Sequence, residues 1–176
     1  MGIVVLIIII LLLVIGYQDF SDRLVHWFYF PLVAILLLAQ LLRFGQPGDH
    51  LLIVGLNMGI MVFMLIMTTF IYSVWKGELI FILDKALGSA DILALGLVCI
   101  TFSTINMVLF MLISFFCSSL FQLLALPFSN KAIHIPLAGI VSVLLVVALV
   151  LQDGFMLIDM TNDFHILGVI GGLYYF

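Results

Sequence analysis

The chain begins with an unbroken apolar stretch, GIVVLIIIILLLVIG, at residues 2–16, and similar stretches recur along its length. Of its 176 residues, 66% are hydrophobic and 8% are charged, and the mean hydropathy is +1.47. A soluble domain carries about 25% charged residues, so this chain lacks the polar side chains that a water-soluble surface needs. The composition therefore predicts an all-α polytopic membrane protein. A transmembrane β-barrel would instead show alternating residues in short segments.

Six apolar segments have about the length of a membrane-spanning helix. The first lacks a basic n-region and a small-residue cleavage site, so we expect it to be a retained helix rather than a signal peptide. "RFGQPGDH", at residues 43–50, is predicted to be a turn because glycine and proline interrupt it. The chain is predicted to be one domain, with a six-span core at about 3–151 and an interfacial or re-entrant tail at 152–176. The spans are predicted at about 3–20, 28–42, 51–74, 92–104, 107–126 and 137–151.

The few basic residues predict the orientation in the membrane. Cytoplasmic turns carry an excess of lysine and arginine, and four of the five basic residues follow the first, third and fifth spans. We therefore expect a multi-pass protein of the cytoplasmic (inner) membrane, with its N-terminus outside. No basic patch is available to bind nucleic acid, so nucleic-acid partners are not expected. The four basic residues on the predicted cytoplasmic side are Arg23, Lys76, Lys85 and Lys131, and the turns on the opposite side hold only Arg43.

Two aspartates lie at the predicted edges of the hydrocarbon core. Asp19 is in the last turn of the first span, and Asp91 is in the first turn of the fourth. A carboxylate near the membrane core costs up to about 3 kcal/mol, and such residues usually face the bundle interior or an aqueous cavity. One such residue could simply end a helix in the headgroup region. Two at matched depth on the predicted cytoplasmic face indicate a shared site, formed by packing the first span against the fourth.

A pair of carboxyl groups at one water has a specific chemistry. Two like charges at close range cannot both ionise easily, so the pair shares a proton. One carboxylate then acts as base on the water, and the other carboxyl donates to the scissile carbonyl, as in aspartic proteases. Asp91 is the predicted ionised partner, because the backbone N–H groups of a helix N-terminus favour an anion.

The residues around Asp91 resemble a known motif. In "LGSAD", Gly88 and Asp91 match the first glycine and the aspartate of the GxGD motif of intramembrane aspartyl proteases. Ser89 occupies the variable position, and Ala90 replaces the second glycine. Alanine is still small at a helix contact, so the substitution is compatible with a close approach of the backbones.

The residues around Asp19 resemble the type 4 prepilin peptidases, which use the GxGD motif. In that family the first aspartate begins a pattern like D-x-x-x-R-x-[IV], and Asp19, Arg23 and Val25 match it. "HIPLAG", at residues 134–139, is similar to the Ile-Pro-aliphatic start of the family's last span. The resemblance covers roughly residues 3–151 in the number of spans, their order and the placement of the motifs.

This resemblance implies a GxGD aspartyl protease-like helix bundle and a hydrolase without a cofactor. Asp19 and Asp91 would be catalytic, with Gly88, Ala90 and Arg23 in supporting positions. The substrates would be pilin-like precursors of type IV pilus or secretion systems, whose leader peptides are cut at the cytoplasmic boundary of the lipid bilayer. Larger family members carry a cysteine-rich domain and an N-methyltransferase activity. This chain lacks the CxxC pairs and would be a short, peptidase-only form.

Other interpretations of the same residues stay open. The chain could be a non-enzymatic membrane assembly factor or a catalytically inactive peptidase relative, or, with less support, a small proton-coupled carrier. His26 and His134 lie on the same predicted face as the aspartates, but their spacing lacks a compact ligand pair such as HExxH, so no metal is expected. Ser89 is predicted to be the N-cap of the fourth span rather than a nucleophile.

Overall fold

A computed structural model describes residues 2–21, 25–44, 47–77, 88–125, 136–153 and 160–161. Within these ranges the chain forms six α-helices and no β-strand, which confirms the predicted all-α fold class for the described part. The helices are α1 (Ile3–Ser21), α2 (Tyr29–Phe44), α3 (Pro47–Lys76), α4 (Ser89–Thr101), α5 (Thr104–Ala125) and α6 (Leu137–Asp153).

Three of the described helices are long and apolar enough to cross a membrane. They are α1, the segment His50–Trp75 of α3 and the segment Thr104–Leu124 of α5. The other three are apolar but shorter, and the 13 residues of α4 extend about 20 Å at 1.5 Å per residue. By length and composition, the three long helices are compatible with the predicted membrane protein.

Three helix starts differ from the sequence prediction, and one of them is α5, which begins at Thr104 rather than at about residue 107. α3 begins at Pro47, so residues 47–50 are helical rather than part of a turn. Proline is well tolerated at a first helical position, because its missing N–H would have no partner within the helix. α4 begins at Ser89 and its N-cap residue is Gly88, so the prediction that Ser89 is the N-cap is wrong.

Helix α6 holds the two aspartate-bearing helices together. The extensive contacts between described helices join α1 to α6 and α4 to α6, rather than α1 to α4 as the sequence suggested. α1 and α6 approach closely, since a Cβ built on Gly16 would lie 3.6 Å from Val143 Cγ2 and 3.7 Å from the Gly139 carbonyl oxygen. Small residues at a helix crossing allow this approach. The proximity of the two aspartates thus depends on a third helix.

The buried face of α1 leads directly to its aspartate. Val5, Ile8, Leu12 and Ile15 are buried at alternating spacings of three and four residues, and Asp19 occupies the next position of this stripe. Residues at these spacings lie on one face of a helix. The packing that buries the apolar side chains therefore carries the carboxyl group into the bundle.

One buried asparagine side chain on α3 forms hydrogen bonds to the end of α4. Asn57 is fully buried, and its Nδ2 donates to the carbonyl oxygens of Cys99 at 3.2 Å and Phe102 at 2.8 Å. The two carbonyls lie at the end of α4, where the helix no longer provides donors of its own. Asn57 therefore joins α3 to α4 through interhelical hydrogen bonds.

Candidate active site

The site forms at the start of α6, a helix without an N-cap side chain of its own. The first amides of an α-helix have no partner within the helix and are usually satisfied by a polar N-cap side chain. The residue before α6 is Pro136, which has no such side chain. The Ala138 N–H instead donates to Asp91 Oδ1 at 2.8 Å, and the Gly139 N–H donates to Asp19 Oδ2 at 2.5 Å. Two aspartates from other helices therefore cap α6.

Asp19 reaches this position through a tight contact. It lies in the last turn of α1, and only 7% of its surface is exposed. A Cβ built on Gly139 would lie 3.1 Å from Asp19 Oδ2 and 3.0 Å from Phe20 Cε2. Both distances are shorter than the 3.4–4 Å of ordinary Cβ contacts. Glycine at position 139 therefore makes room for the carboxyl group.

Asp91 binds two backbone amides with its two oxygens. As the third residue of α4, it accepts from the Gly88 N–H through Oδ2 at 3.0 Å, while Oδ1 accepts from Ala138. The first bond satisfies the N-cap amide of its own helix, in the manner of the acidic residue of a capping box. The side chain is partly buried. Asp91 thus lies between the N-termini of α4 and α6, where both helix dipoles favour a negative charge.

The distance between the two carboxyl groups has an upper limit. Their oxygens lie 2.8 Å and 2.5 Å from amide nitrogens of consecutive residues. Nitrogens of consecutive residues are less than ~4 Å apart, so Asp91 Oδ1 and Asp19 Oδ2 lie within about 9 Å of each other. The two carboxyl groups therefore lie close together at the first turn of α6.

The supporting residues named from the sequence have different positions. Gly88 is exposed, and a Cβ built on it would lie 3.4 Å from Asp91 Oδ2, close to an ordinary contact. Ser89 is exposed as well, and Ala90 is partly buried against the core. Arg23 lies outside the described residues. The glycine of the "LGSAD" stretch thus provides the amide that orients the carboxylate.

The functional groups that the sequence did not reveal are backbone amides. Those of Ala138 and Gly139 bring the two carboxyl groups together, although residues 134–139 were singled out only as the start of a span. Pro136 followed by small residues was an available signal, because it indicates a helix without a capping side chain. Gly16 was another, since Gly16-x-x-Asp19 has the same spacing as Gly88-x-x-Asp91.

The metal alternative has no support from the described residues. Among them, no group of three histidine, cysteine, aspartate or glutamate side chains is placed to hold a metal ion. The His26 N–H donates to Gln18 Oε1 at 3.3 Å, and the His26 ring lies against Tyr29. His134 lies outside the described residues.

No protein family, curated protein or solved structure matches this chain. The interpretation of the site therefore depends on its own residues and geometry.

Proposed function

We propose that the chain is a six-span membrane aspartic endopeptidase of the prepilin peptidase type. Its substrates are pilin-like precursors, whose leader peptides it cuts at the cytoplasmic boundary of the inner membrane. One observation carries the proposal: Asp19 and Asp91, from helices far apart in the sequence, bind consecutive amides of α6. The remaining support comes from the resemblance of both aspartate segments to GxGD peptidase motifs.

The reaction uses one proton shared by the pair. The ionised carboxylate takes a proton from water as the water oxygen bonds to the peptide carbonyl carbon, and the protonated carboxyl donates to the carbonyl oxygen. The resulting gem-diol returns a proton to the pair. The C–N bond then breaks, and the leaving nitrogen takes a proton from the pair. The two aspartates end with the single proton with which they began, ready for another cycle.

The location of the pair suits a substrate held in the bilayer. Asp19 is near the end of α1, and Asp91 and the two amides are at the starts of α4 and α6, so all lie at one end of the bundle. The distribution of basic residues predicts that this end faces the cytoplasm. The leader's apolar helix would lie in the membrane, with its scissile peptide at this end. The shorter helices α2, α4 and α6 would span a locally thinned bilayer.

A second candidate is a non-enzymatic assembly factor or an inactive peptidase relative. The observation that favours it is that each Asp91 oxygen already binds a backbone amide. Two carboxylates that only cap α6 would join three helices without any reaction. Ala90, in place of the motif's second glycine, is compatible with this candidate.

A cleavage assay separates the two candidates. The chain is co-expressed with pilin-like precursors, and leader removal is measured for the wild type, Asp19→Asn, Asp91→Asn and the control Asp153→Asn. Asp153 is the last residue of α6, at the opposite end of that helix. We expect cleavage by the wild type and the control, and a loss of at least about 100-fold in each other variant, because each removes a proton-transfer group. Normal cleavage by both Asp19→Asn and Asp91→Asn would leave only the structural candidate.

A further inference from the structure

Ser142 lies one helical turn beyond the two amides that bind the aspartates. It follows Ala138 by four residues and Gly139 by three, so all three positions lie on the same side of α6. Its Cα is therefore about 5 Å deeper in the bundle than theirs. Cα–Cβ bonds in a helix tilt toward the N-terminus, so the Ser142 side chain leans toward the turn that holds the carboxyl groups.

The Ser142 hydroxyl is buried without a partner among the described residues. Only 1% of the residue's surface is exposed, and its Oγ makes no hydrogen bond within that part of the chain. A buried polar group without a hydrogen bond costs about 1–3 kcal/mol, so natural proteins rarely leave one. Such a group needs an acceptor or a water.

Several other hydroxyls on the described helices bond to their own backbone, although the Ser114 and Ser118 hydroxyls, like that of Ser142, do not. Thr101 donates to the Leu97 carbonyl at 2.8 Å, and Ser119 donates to the Phe115 carbonyl at 2.9 Å. This bond to the carbonyl four residues back is the usual arrangement for serine and threonine within a helix. Ser142 does not make it. Its hydroxyl is therefore available to a ligand beside the aspartate pair.

We infer that Ser142 is a positioning residue, whose hydroxyl holds the nucleophilic water against the carboxyl groups of Asp19 and Asp91. Water is the ligand that fits a lone hydroxyl one helical turn from two carboxyl groups, because it can donate to a carboxylate and accept from the serine. The hydroxyl limits where the water can lie before it attacks. This inference rests on the proposed peptidase function and adds a third side chain to the site.

The kinetic test compares Ser142→Ala with Ser142→Thr and with Ser118→Ala. Ser118 on α5 is the matched control, because it is 4% exposed and its Oγ also lacks a hydrogen bond among the described residues. We expect Ser142→Ala to lower kcat about tenfold with little change in KM, the effect of losing one hydrogen bond in the transition state. Ser142→Thr, which keeps the hydroxyl, should retain more activity than Ser142→Ala. Ser118→Ala should match the wild type.

The structural test does not depend on activity. A high-resolution structure of the wild type should show a water within hydrogen-bond distance of Ser142 Oγ and of one carboxyl oxygen, and Ser142→Ala should lose that water. A Ser142 hydroxyl bonded to the Ala138 carbonyl, with no water between it and the aspartates, would overturn the inference. A wild-type kcat in Ser142→Ala would also overturn it, while inactivity of Asp91→Asn would leave the peptidase proposal standing.

Discussion

Replacing Gly139 with alanine tests how the last helix positions the aspartates. The added methyl group would lie 3.1 Å from Asp19 Oδ2 and 3.0 Å from Phe20 Cε2. Ordinary contacts of a Cβ atom lie at 3.4–4 Å, so the surrounding groups must move by up to about 0.5 Å. Phe20 is 44% exposed and can move toward the surface. Asp19 is buried, so its displacement would lengthen the hydrogen bond from Gly139.

The expected effect on stability is small. Overpacking costs about 1–3 kcal/mol, and alanine in place of glycine within a helix returns up to about 1 kcal/mol. The net destabilisation should therefore be roughly 0–2 kcal/mol. The effect on catalysis should be larger, because a displacement of about 1 Å at a reacting group can cost about 100-fold. We expect a loss of kcat of about tenfold from half that displacement.

The assay measures leader cleavage and the thermal unfolding midpoint for Gly139→Ala and two control variants. A Cβ at Gly16 would make only contacts of 3.6 Å or more, and a Cβ at Gly55 has no atom within 4 Å. Both controls should keep wild-type kcat, and Gly55→Ala should gain up to about 1 kcal/mol in stability.

One result would refute the reasoning about Gly139. If Gly139→Ala kept wild-type kcat and became as stable as Gly55→Ala, the close contact with Asp19 would have no consequence. The aspartate would then not depend on α6 for its position.

Three further predictions follow from the hydrogen bonds. Asp91→Asn should destabilise the protein by about 1–3 kcal/mol in thermal unfolding, because one amide oxygen cannot accept from both the Gly88 and the Ala138 N–H groups. Asn57→Ala should lower stability by about 1 kcal/mol without changing KM. Cleavage should decline at both low and high pH, because the aspartate pair works with one shared proton. Cleavage should also continue in the presence of a chelator, and a loss of activity there would indicate a metal site instead.

The sequence predicted the helices well because the length of an apolar segment can be read from consecutive residues. Within the described residues, each of the six predicted segments overlaps one helix, and the start of α6 at Leu137 agrees with the prediction. The errors are at helix starts. Pro47 was interpreted as part of a turn, yet it begins α3, and Ser89 was predicted to be the N-cap of α4, which is Gly88. Proline and glycine occur both in turns and at helix starts, and the sequence alone does not separate these two uses.

The sequence could not predict how the aspartates meet. In α1 nearly every residue is apolar, so no change in polarity marks the stripe from Val5 to Asp19 as the buried face. The direct packing of α1 against α4 was therefore only an assumption. The structure places α6 against both helices, and the contact depends on amides that every residue except proline possesses.

The sequence by itself determined that the chain is helical and apolar, and that Asp19 and Asp91 lie at helix ends. Those properties follow from composition and from the order of residues along each segment. Only the tertiary structure decided that the two carboxyl groups bind consecutive amides of α6 and that a side chain at position 139 would crowd Asp19 and Phe20. The physical reason is that the first amides of α6 lack a capping side chain, and packing α1 and α4 against that helix supplies the missing acceptors.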